Sequence, residues 1–327
     1  MHMNVSIIIV SYNTCELLRN CLTSVREKTC GVDYEIFVVD NASNDGSCEM
    51  LEREFPDVRL VRNRENRGFA KANNQAILMA QGEYVLLLNS DTVLENNAIG
   101  VMHEFMRAHP RAAVCGPLLL NADGTVQQSI DTHVTALSIL RKSIVGTTGI
   151  GHRFFQSAYH PRSFDYFKRF QLADGWLTGA VLMIRRAVFP EVGLLDEAYH
   201  FYNEDADWGL AVSRSQWQTW FIPEAVVTHF LGGSRKTQSE EQEISFKVQY
   251  FRQNRYFFWK NLGTVQYGAF RLAAFCVCAM NLLRRAIMTA VSSSEKRLSA
   301  IFKMRLGWKL FLASLEHGGD KGFGNRQ

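Results

Sequence analysis

Short apolar runs alternate with segments of helical spacing through the first hundred residues. A run of about four to eight apolar residues is typical of a buried strand, whereas apolar residues three or four apart are typical of a helix. The runs predict strands over 5–10, 35–39, 58–61 and 84–89, and the spaced residues predict helices over 15–27, 48–55 and 68–80. This alternation predicts an α/β protein with a doubly wound, mostly parallel sheet.

The pattern loosens after about residue 115. Residues 121–125, Asn-Ala-Asp-Gly-Thr, predict a hairpin turn, and the irregular stretch 132–170 is typical of a lid or substrate loop. Order then returns, with a predicted helix to about 215, strands over 219–222 and 225–230, and a long amphipathic helix that begins after Ser239 and stops at Gly263. We therefore divide the chain into 1–115, 116–238 and a helical extension, 239–327.

The charge of the chain is unevenly distributed. The net charge is +4, but residues 244–327 carry 14 Lys+Arg against 3 Asp+Glu, so this part is +11 and the remainder is −7. A basic, amphipathic extension favours contact with an anionic membrane surface or with a partner's groove. A helical extension packed on the body, with solvated basic residues, explains the same pattern. No recognised nucleic-acid motif accompanies the charge, so we expect no nucleic-acid partner.

Three features bear on the compartment. No run of about 18 uncharged apolar residues occurs, so the sequence predicts no clear transmembrane helix. The first strand begins at Val5 without a preceding basic region or cleavage site, which disfavours a secretory signal. The seven cysteines include no Cys-x-x-Cys pair, which favours free thiols in a reducing compartment. We expect a cytoplasmic protein.

Residues able to carry chemistry follow several of the predicted strands. Asp40 and Asp91 come directly after apolar runs, at the carboxyl ends of strands, where open α/β sheets place their ligands. An acidic cluster occupies 203–207, and His229 follows a later apolar run. One carboxylate and one imidazole suit a shared metal ion, while a separate carboxylate suits proton transfer.

Seven short segments give these residues a recognisable order. They are IIIVSYN (7–13), VVDNASNDGS (38–47), NRGFAKANN (66–74), LNSDT (88–92), GWLTGA (175–180), EDADW (204–208) and THFLGGS (228–234). Together they resemble the family 2 glycosyltransferases of the GT-A fold, especially rhamnosyltransferase-like members. The resemblance covers about 1–235, and the remaining tail resembles the family's variable C-terminal helices only loosely.

The resemblance implies a nucleotide-sugar site in 1–115. Asp40 would hydrogen-bond a pyrimidine, and the loop that follows the first strand would shape the pocket. The implied donor-binding residues are Ser11, Tyr12, Asn13, Asp40, Gly68, Asn73, Asn89 and Asp91. For Asp40 the alternative is that it only caps the loop before the next helix, and for Gly68 helix capping is an equally good explanation.

The resemblance also implies a divalent cation, Mg²⁺ or Mn²⁺, that offsets charge on the leaving diphosphate. Family members usually carry Asp-x-Asp, whereas this chain carries Asn89-Ser90-Asp91, so only Asp91 is an anionic ligand there. His229 matches the family's metal-binding histidine and would supply the missing ligand, since Mn²⁺ tolerates imidazole. The alternative is a histidine with a purely structural role.

For the second region, 116–238, the resemblance implies acceptor binding and catalysis. Asp205 would be the general base, and Glu204 beside it would position the loop or the acceptor. Trp176, Gly179 and Ala180 would form the floor of the acceptor site. The bland alternatives are helix capping for the acidic cluster and core packing for Trp176.

The implied activity is single displacement with inversion at the anomeric carbon. The donor would be dTDP-L-rhamnose or a UDP-sugar, and the acceptor a glycan or lipid-linked glycan in cell-surface polysaccharide assembly. A nucleotidyltransferase would want a basic glycine-rich loop after the first strand, and a dinucleotide oxidoreductase a Gly-x-Gly-x-x-Gly turn; residues 11–15 provide neither. A non-catalytic glycan-binding scaffold would need no base and stays a separate hypothesis.

Overall fold

The computed structural model describes residues 4–131, 171–172, 175–200, 202–230, 239–261, 263–290 and 297–315. The chain divides into two compact units. The first comprises Met1–His133 and Pro161–Lys236, and the second comprises Val134–His160 and Thr237–Gln327. The predicted lid segment, 132–170, and residues 231–234 of the THFLGGS segment lie outside the described residues.

The first unit is an α/β sheet with helices between its strands. Its strands are β1 (Val5–Ser11), β2 (Tyr34–Asp40), β3 (Arg59–Arg62), β4 (Tyr84–Asn89), β5 (Thr92–Leu94), β6 (Ala112–Leu120), β7 (Val126–Gln127), β8 (Ile130–Asp131), β9 (Gln171–Leu172), β10 (Trp176–Leu177), β11 (Val181–Arg185) and β12 (Gln218–His229). Its helices are α1 (Cys15–Lys28), α2 (Ser47–Glu54), α3 (Phe69–Ile77), α4 (Ala98–Ala108), α5 (Phe189–Val192) and α6 (Glu204–Ser213).

The main sheet has the order β3-β2-β1-β4-β11-β6-β12-β5. Strands β3, β2, β1 and β4 run parallel, β11 is antiparallel to both of its neighbours, and β12 is parallel to β6. β7 pairs with β6 across the predicted hairpin turn, and β8 pairs with β10 in a small second sheet. The predicted α/β fold with a mostly parallel sheet is confirmed.

Helices cover both faces of the sheet. Successive strand residues point to opposite faces, so nearly all of them are buried. Ile7 and Ile9 of β1 belong to the core on the side of α1, α2 and α4, whereas Ile8 belongs to the core on the side of α3 and α6. This explains why the strands read as continuous apolar runs rather than as alternating ones. The same packing fixes the polar residues that follow each strand at the carboxyl end of the sheet.

The strands predicted over 219–222 and 225–230 form one strand, β12. Its register against β6 shifts between Ile222 and Val226, so the segment with Pro223 is an irregularity within a continuous strand. Proline lacks the N–H that a regular ladder needs, and a bulge accommodates it. The sequence therefore predicted the interruption at Pro223, but it did not predict that one strand continues through it.

The second unit contains three long helices in its described part: α7 (Glu240–Asn261), α8 (Gly263–Ala290) and α9 (Arg297–Leu315). Ile244 and Val248 of α7 share a small core with Leu306 and Ala313 of α9. α7 ends close to the predicted stop, and Gly263, at φ +72°, begins the next helix.

Residues Gly263–Arg284 are long and apolar enough to cross a membrane by length and composition, with a mean hydropathy of 1.2. A sequence criterion that requires an uncharged apolar run predicts no such helix. Arg271 lies in the middle of this segment and interrupts that run.

Candidate active site

Asp91 and His229 lie side by side at the carboxyl end of β4. β5 pairs antiparallel with the end of β12, so His229 pairs with Thr92, and the Phe230 N–H donates to the Asp91 carbonyl at 2.8 Å. His229 Nε2 is 3.2 Å from Asp91 Oδ1 and 3.4 Å from Asn89 Nδ2. Strand pairing therefore brings together the two predicted metal ligands.

A hairpin side chain fixes the orientation of the imidazole. Gln127 Nε2 donates to Asn121 Oδ1 at 2.9 Å, which leaves Gln127 Oε1 facing His229 Nδ1 at 2.8 Å. An amide oxygen only accepts, so Nδ1 carries a proton, and in the neutral imidazole the lone pair lies on Nε2, the nitrogen that faces Asp91. A fixed tautomer with a second partner on Nδ1 is the usual arrangement of a metal-binding histidine.

This pair fits a divalent cation. A lone pair of Nε2 and a carboxylate oxygen at 3.2 Å repel one another unless positive charge, from a proton or a metal ion, lies beside them. No group of three His, Cys, Asp or Glu side chains gathers anywhere in the described ranges, so the protein offers two such ligands here. Mg²⁺-type sites often take one or two protein ligands and complete their shell with substrate phosphate and water.

Asp40 lies at the end of β2 with one oxygen engaged and one without a partner. Its Oδ1 accepts from the Ser43 N–H at 2.9 Å, which is the loop-capping role. Its Oδ2 is buried and has no hydrogen-bond partner among the described residues. A cavity of about 390 Å³ opens beside it, lined among others by Ser43, Cys48 and Asn63. Capping therefore uses one oxygen only, and the other remains suited to a ligand N–H.

The loop after β1 is tied to the loop after β2. Asn13, at φ 53°, donates its N–H to Ser43 Oγ and accepts from the Asn44 N–H, both at 2.9 Å. Ser11 is fully buried and its hydroxyl lies 3.0 Å from Thr14 Oγ1, whereas Tyr12 is 40% exposed. Among these three predicted donor-binding residues, only Tyr12 presents a large side chain to solvent.

Gly68 and Asn73 have structural partners within the protein. Gly68 precedes α3 at φ +80°, and a Cβ there would lie 2.6 Å from the carbonyl oxygen of His200. The Phe69 N–H donates to that same carbonyl at 3.1 Å. Asn73 is 1% exposed, and its amide donates to the Phe69 carbonyl at 3.0 Å. Glycine is required at position 68 because the backbone at His200 lies so close to it.

Asp205 lies in the first turn of α6 and is held by the backbone of the predicted acceptor segment. Its Oδ2 accepts from the Gly179 N–H at 2.8 Å, and its Oδ1 accepts from the Ala206 N–H at 2.8 Å. The next residue, Ala180, accepts from the Asn89 N–H at 2.9 Å through its carbonyl. Two consecutive residues thus link the predicted base to the strand end that precedes Asp91.

Glu204 is placed differently from its neighbour. It is 6% exposed, and its Oε2 has no hydrogen-bond partner among the described residues. Burial raises the pKa of Glu204 well above its ordinary value, and the nearby Asp205 carboxylate raises that pKa further. The helical turn therefore presents one carboxyl that favours its protonated form beside one that is held by N–H donors.

Trp176 packs closely on the helix that carries Asp205. A Cβ on Gly209 of α6 would lie 2.5 Å from the Trp176 Cβ, so glycine permits this approach. The Trp176 Nε1–H is buried and has no acceptor in the described part of the chain. A buried indole N–H usually finds a partner, so this donor suits a ligand oxygen.

A larger recess of about 610 Å³ lies elsewhere on the same unit. Its lining includes Phe105 and Arg107 of α4 with Ile222 and Glu224 of β12. It contains none of the predicted site residues. Cavity size alone would therefore not select the predicted site.

Comparison with known families decides the classification. The model for "Glycosyl transferase family 2" matches residues 6–171, which is half of the chain. The chain belongs to glycosyl transferase family 2. The N-acetylglucosaminyl-diphospho-decaprenol L-rhamnosyltransferase of Mycobacterium tuberculosis is 28% identical over 205 residues, which cover 59% of this chain and 66% of that enzyme. The alignment thus spans slightly less than two thirds of that enzyme's length.

Another relative of this family 2 chain is a glucosyltransferase by name. The poly(ribitol-phosphate) beta-glucosyltransferase of Bacillus spizizenii is 29% identical over 153 residues, covering 45% of this chain and 24% of that protein. In fold, the chain resembles a mannosyltransferase of Pyrobaculum calidifontis solved with GDP-Man and Mn²⁺, at a TM-score of 0.54 and 16% identity, covering 96% and 86% of the two chains. The predicted glycosyltransferase fold is confirmed.

Two polar residues beside the predicted site residues of this family 2 chain were not singled out from the sequence. Gln127 orients His229, and Asn74, next to the predicted Asn73, binds the Leu195 backbone with both amide atoms, at 2.8 and 3.2 Å. The hairpin turn before Gln127 was the available signal for the first. No sequence signal distinguishes Asn74 from Asn73, because only the placement of α3 decides which amide reaches across.

Proposed function

We propose that the protein is a metal-assisted, inverting glycosyltransferase that transfers a sugar from a nucleotide diphosphate to a glycan or lipid-linked glycan. The observation that carries the proposal is the link through Gly179 and Ala180. These neighbours hold Asp205 through one backbone group and the end of β4 through the next. A candidate base and a candidate leaving-group site are thereby connected within one unit.

Asp205 is the proposed general base. The Gly179 N–H orients its carboxylate, and a carboxylate oxygen carries two lone pairs, which suits Oδ2 to accept the acceptor's hydroxyl proton. The acceptor oxygen then forms a bond to the anomeric carbon as the bond from that carbon to the diphosphate oxygen breaks. Attack opposite to the leaving group inverts the anomeric configuration.

Asp91 and His229 are the proposed protein ligands of Mg²⁺ or Mn²⁺. A bound divalent cation would supply charge neutralisation for the departing nucleotide diphosphate. Gln127 keeps His229 in the tautomer whose Nε2 is able to bind a cation. Asp40 would recognise the base through its unpartnered Oδ2, since that oxygen accepts an N–H such as a pyrimidine presents.

We propose dTDP-L-rhamnose as the donor, on the similarity to a rhamnosyltransferase that acts on a decaprenol-linked sugar by name. A UDP-sugar would use the same carboxylate–pyrimidine contact. Nucleotide sugars and reduced thiols belong to the cytoplasm, and none of the seven cysteines, all within the described ranges, forms a disulfide bond. The proposed product is a cell-surface polysaccharide precursor.

Nucleotide binding tests the proposal directly. The purified protein is melted with dTDP, UDP, GDP and NAD, each with and without Mn²⁺. A ligand at one hundred times its Kd stabilises the folded state by about 2.7 kcal/mol, which is a measurable shift in Tm. We expect a shift with dTDP or UDP that depends on Mn²⁺. A glycan that binds without any nucleotide response would instead support the scaffold hypothesis.

A further inference from the structure

The second unit carries a continuous apolar stripe along one side of α8. The α8 stripe consists of exposed residues spaced three or four apart: Val265, Ala269, Leu272, Cys276, Met280, Leu283 and Ile287. At 100° per residue these positions fall within about 80° of the helix circumference, and the stripe is about 33 Å long. Val265, Leu272 and Leu283 are 86%, 67% and 64% exposed. Scattered surface leucines need no explanation, but a stripe of this length does.

α9 extends this apolar surface. Its exposed apolar residues also recur on one face: Ile301, Trp308, Leu312 and Leu315. The Phe311 ring lies 5.6 Å from Phe275 of α8 and 5.9 Å from Trp308. Both outer members of this aromatic row, Phe275 and Trp308, are exposed. The row therefore joins the two helices at the surface.

The charge of the two helices is of one sign. α8 and α9 contain no Asp or Glu, and they carry seven basic residues: Arg271, Arg284, Arg285, Arg297, Lys303, Arg305 and Lys309. Arg284, Arg305 and Lys309 are exposed. Arg305 also forms an ion pair with Glu241 of α7 at 3.1 Å. An exposed apolar face with basic residues beside it complements a lipid surface that is apolar inside and anionic outside.

We propose that this α8–α9 surface docks on an anionic bilayer, with α8 lying in the plane of the membrane surface. The opposite side of α8 is occupied by protein: Phe270, Val277 and Cys278 are buried, and Phe270 packs on Phe258 of α7 at 4.3 Å. A helix that is apolar and open on one side only suits the interface rather than a span. This proposal is independent of the sugar-transfer proposal, because it concerns lipid contact alone.

Flotation of the full chain with vesicles tests the proposal. Vesicles of phosphatidylcholine alone are compared with vesicles of phosphatidylcholine and phosphatidylglycerol. We expect the protein to float with the anionic vesicles and to bind the neutral ones more weakly. Leu272→Gln with Leu283→Gln should weaken binding about a hundredfold, because each lost leucine contact lowers partitioning about tenfold.

The matched control is Leu78→Gln, since Leu78 is 76% exposed and lies just after α3 in the first unit. This control should bind vesicles like the native protein, and all variants should keep their helical circular dichroism. Unchanged binding of the double variant would overturn the proposal. Retention of the protein in the membrane after alkaline extraction would also overturn it, because it indicates a transmembrane helix. So would a dimer in solution that the double substitution abolishes while lipid has no effect on the protein.

Discussion

Two acidic regions of the first unit are built in contrasting ways. Around Asp91, a carboxylate faces an imidazole whose other nitrogen is held by Gln127. Around Asp205, one carboxylate is held by backbone N–H groups, and its neighbour Glu204 is buried with an unpartnered oxygen. The first arrangement places a carboxylate oxygen and an imidazole nitrogen side by side, which suits binding of a cation. The second keeps two carboxyl groups in unequal environments, which favours the protonated form of one of them.

The difference shows that acidic residues near one another need not share a task. Desolvation and like charge push a proton onto Glu204, whereas fixed N–H donors orient Asp205 as an acceptor. Unequal environments are how paired carboxyls divide acid–base work. Each of the following variants separates the two regions by a different measurement.

The largest effect is expected from Asp205→Asn. Loss of the base should lower turnover by about 10³-fold, because general base catalysis contributes about 10² to 10⁴. Nucleotide-induced stabilisation should remain, since the amide oxygen still accepts from Gly179. The control is Glu191→Gln, which changes an exposed carboxylate bonded to Trp217. Near-normal turnover in Asp205→Asn would remove this residue as the base.

His229→Ala should affect the other region. The Mn²⁺ concentration needed for half-maximal stabilisation by nucleotide should rise by about 100-fold or more, because loss of an outer partner alone costs about 10- to 100-fold. Donor affinity should fall with it. Titration of Mn²⁺ at fixed nucleotide, followed by Tm, measures both. An unchanged metal response would return His229 to a structural role.

Gln127→Leu should have a smaller effect of the same kind. Without the amide oxygen of Gln127, His229 has lost the acceptor that sets its tautomer, so the affinity for Mn²⁺ should fall about tenfold. Gln127→Glu keeps an acceptor and should restore the response. Gln128→Leu is the control, because Gln128 is the exposed neighbour. Equal losses in Gln127→Leu and Gln128→Leu would show that the hairpin, not this contact, matters.

Glu204→Gln should change stability rather than metal binding. Burial raises the pKa of Glu204, so the folded state binds its proton more tightly than the unfolded state. Relative to the variant, the native protein therefore loses unfolding free energy as the pH rises above the unfolded pKa of about 4.3. Urea unfolding measures the free energy of unfolding of both proteins at about pH 5 and about pH 8. The difference between the variant and the native protein should be larger at the higher pH. A difference that narrows would indicate an ionised, stabilised Glu204.

The sequence predicted the strand ends well because burial on both faces gives each strand an unbroken apolar run. It placed Asp40, Asp91 and His229 at strand ends or directly after them, and Asp205 at the start of a helix. The pairing of Asp91 with His229 followed from the family resemblance. Residues alone do not show that β5 pairs with the far end of β12.

The rest depended on contacts between distant segments. Gln127 faces His229 only because β12 runs parallel beside β6, from which β7 folds back. Asn73, predicted to bind the donor, turns inward onto its own helix, while Asn74 reaches Leu195. Neighbouring amides in one helix differ only in direction, which is fixed by how α3 packs.

Asn89 and His229 are separated by 140 residues along the chain, and the short strand β5 gains its pairing partner only when β12 docks. During synthesis, the amino-terminal strands can assemble while the cation ligands are still incomplete. Contacts of such long sequence separation form late and slow folding. At the proposed site, a metal ion would meet both protein ligands only after β12 has paired with β5, so its binding would report that this edge of the sheet has formed.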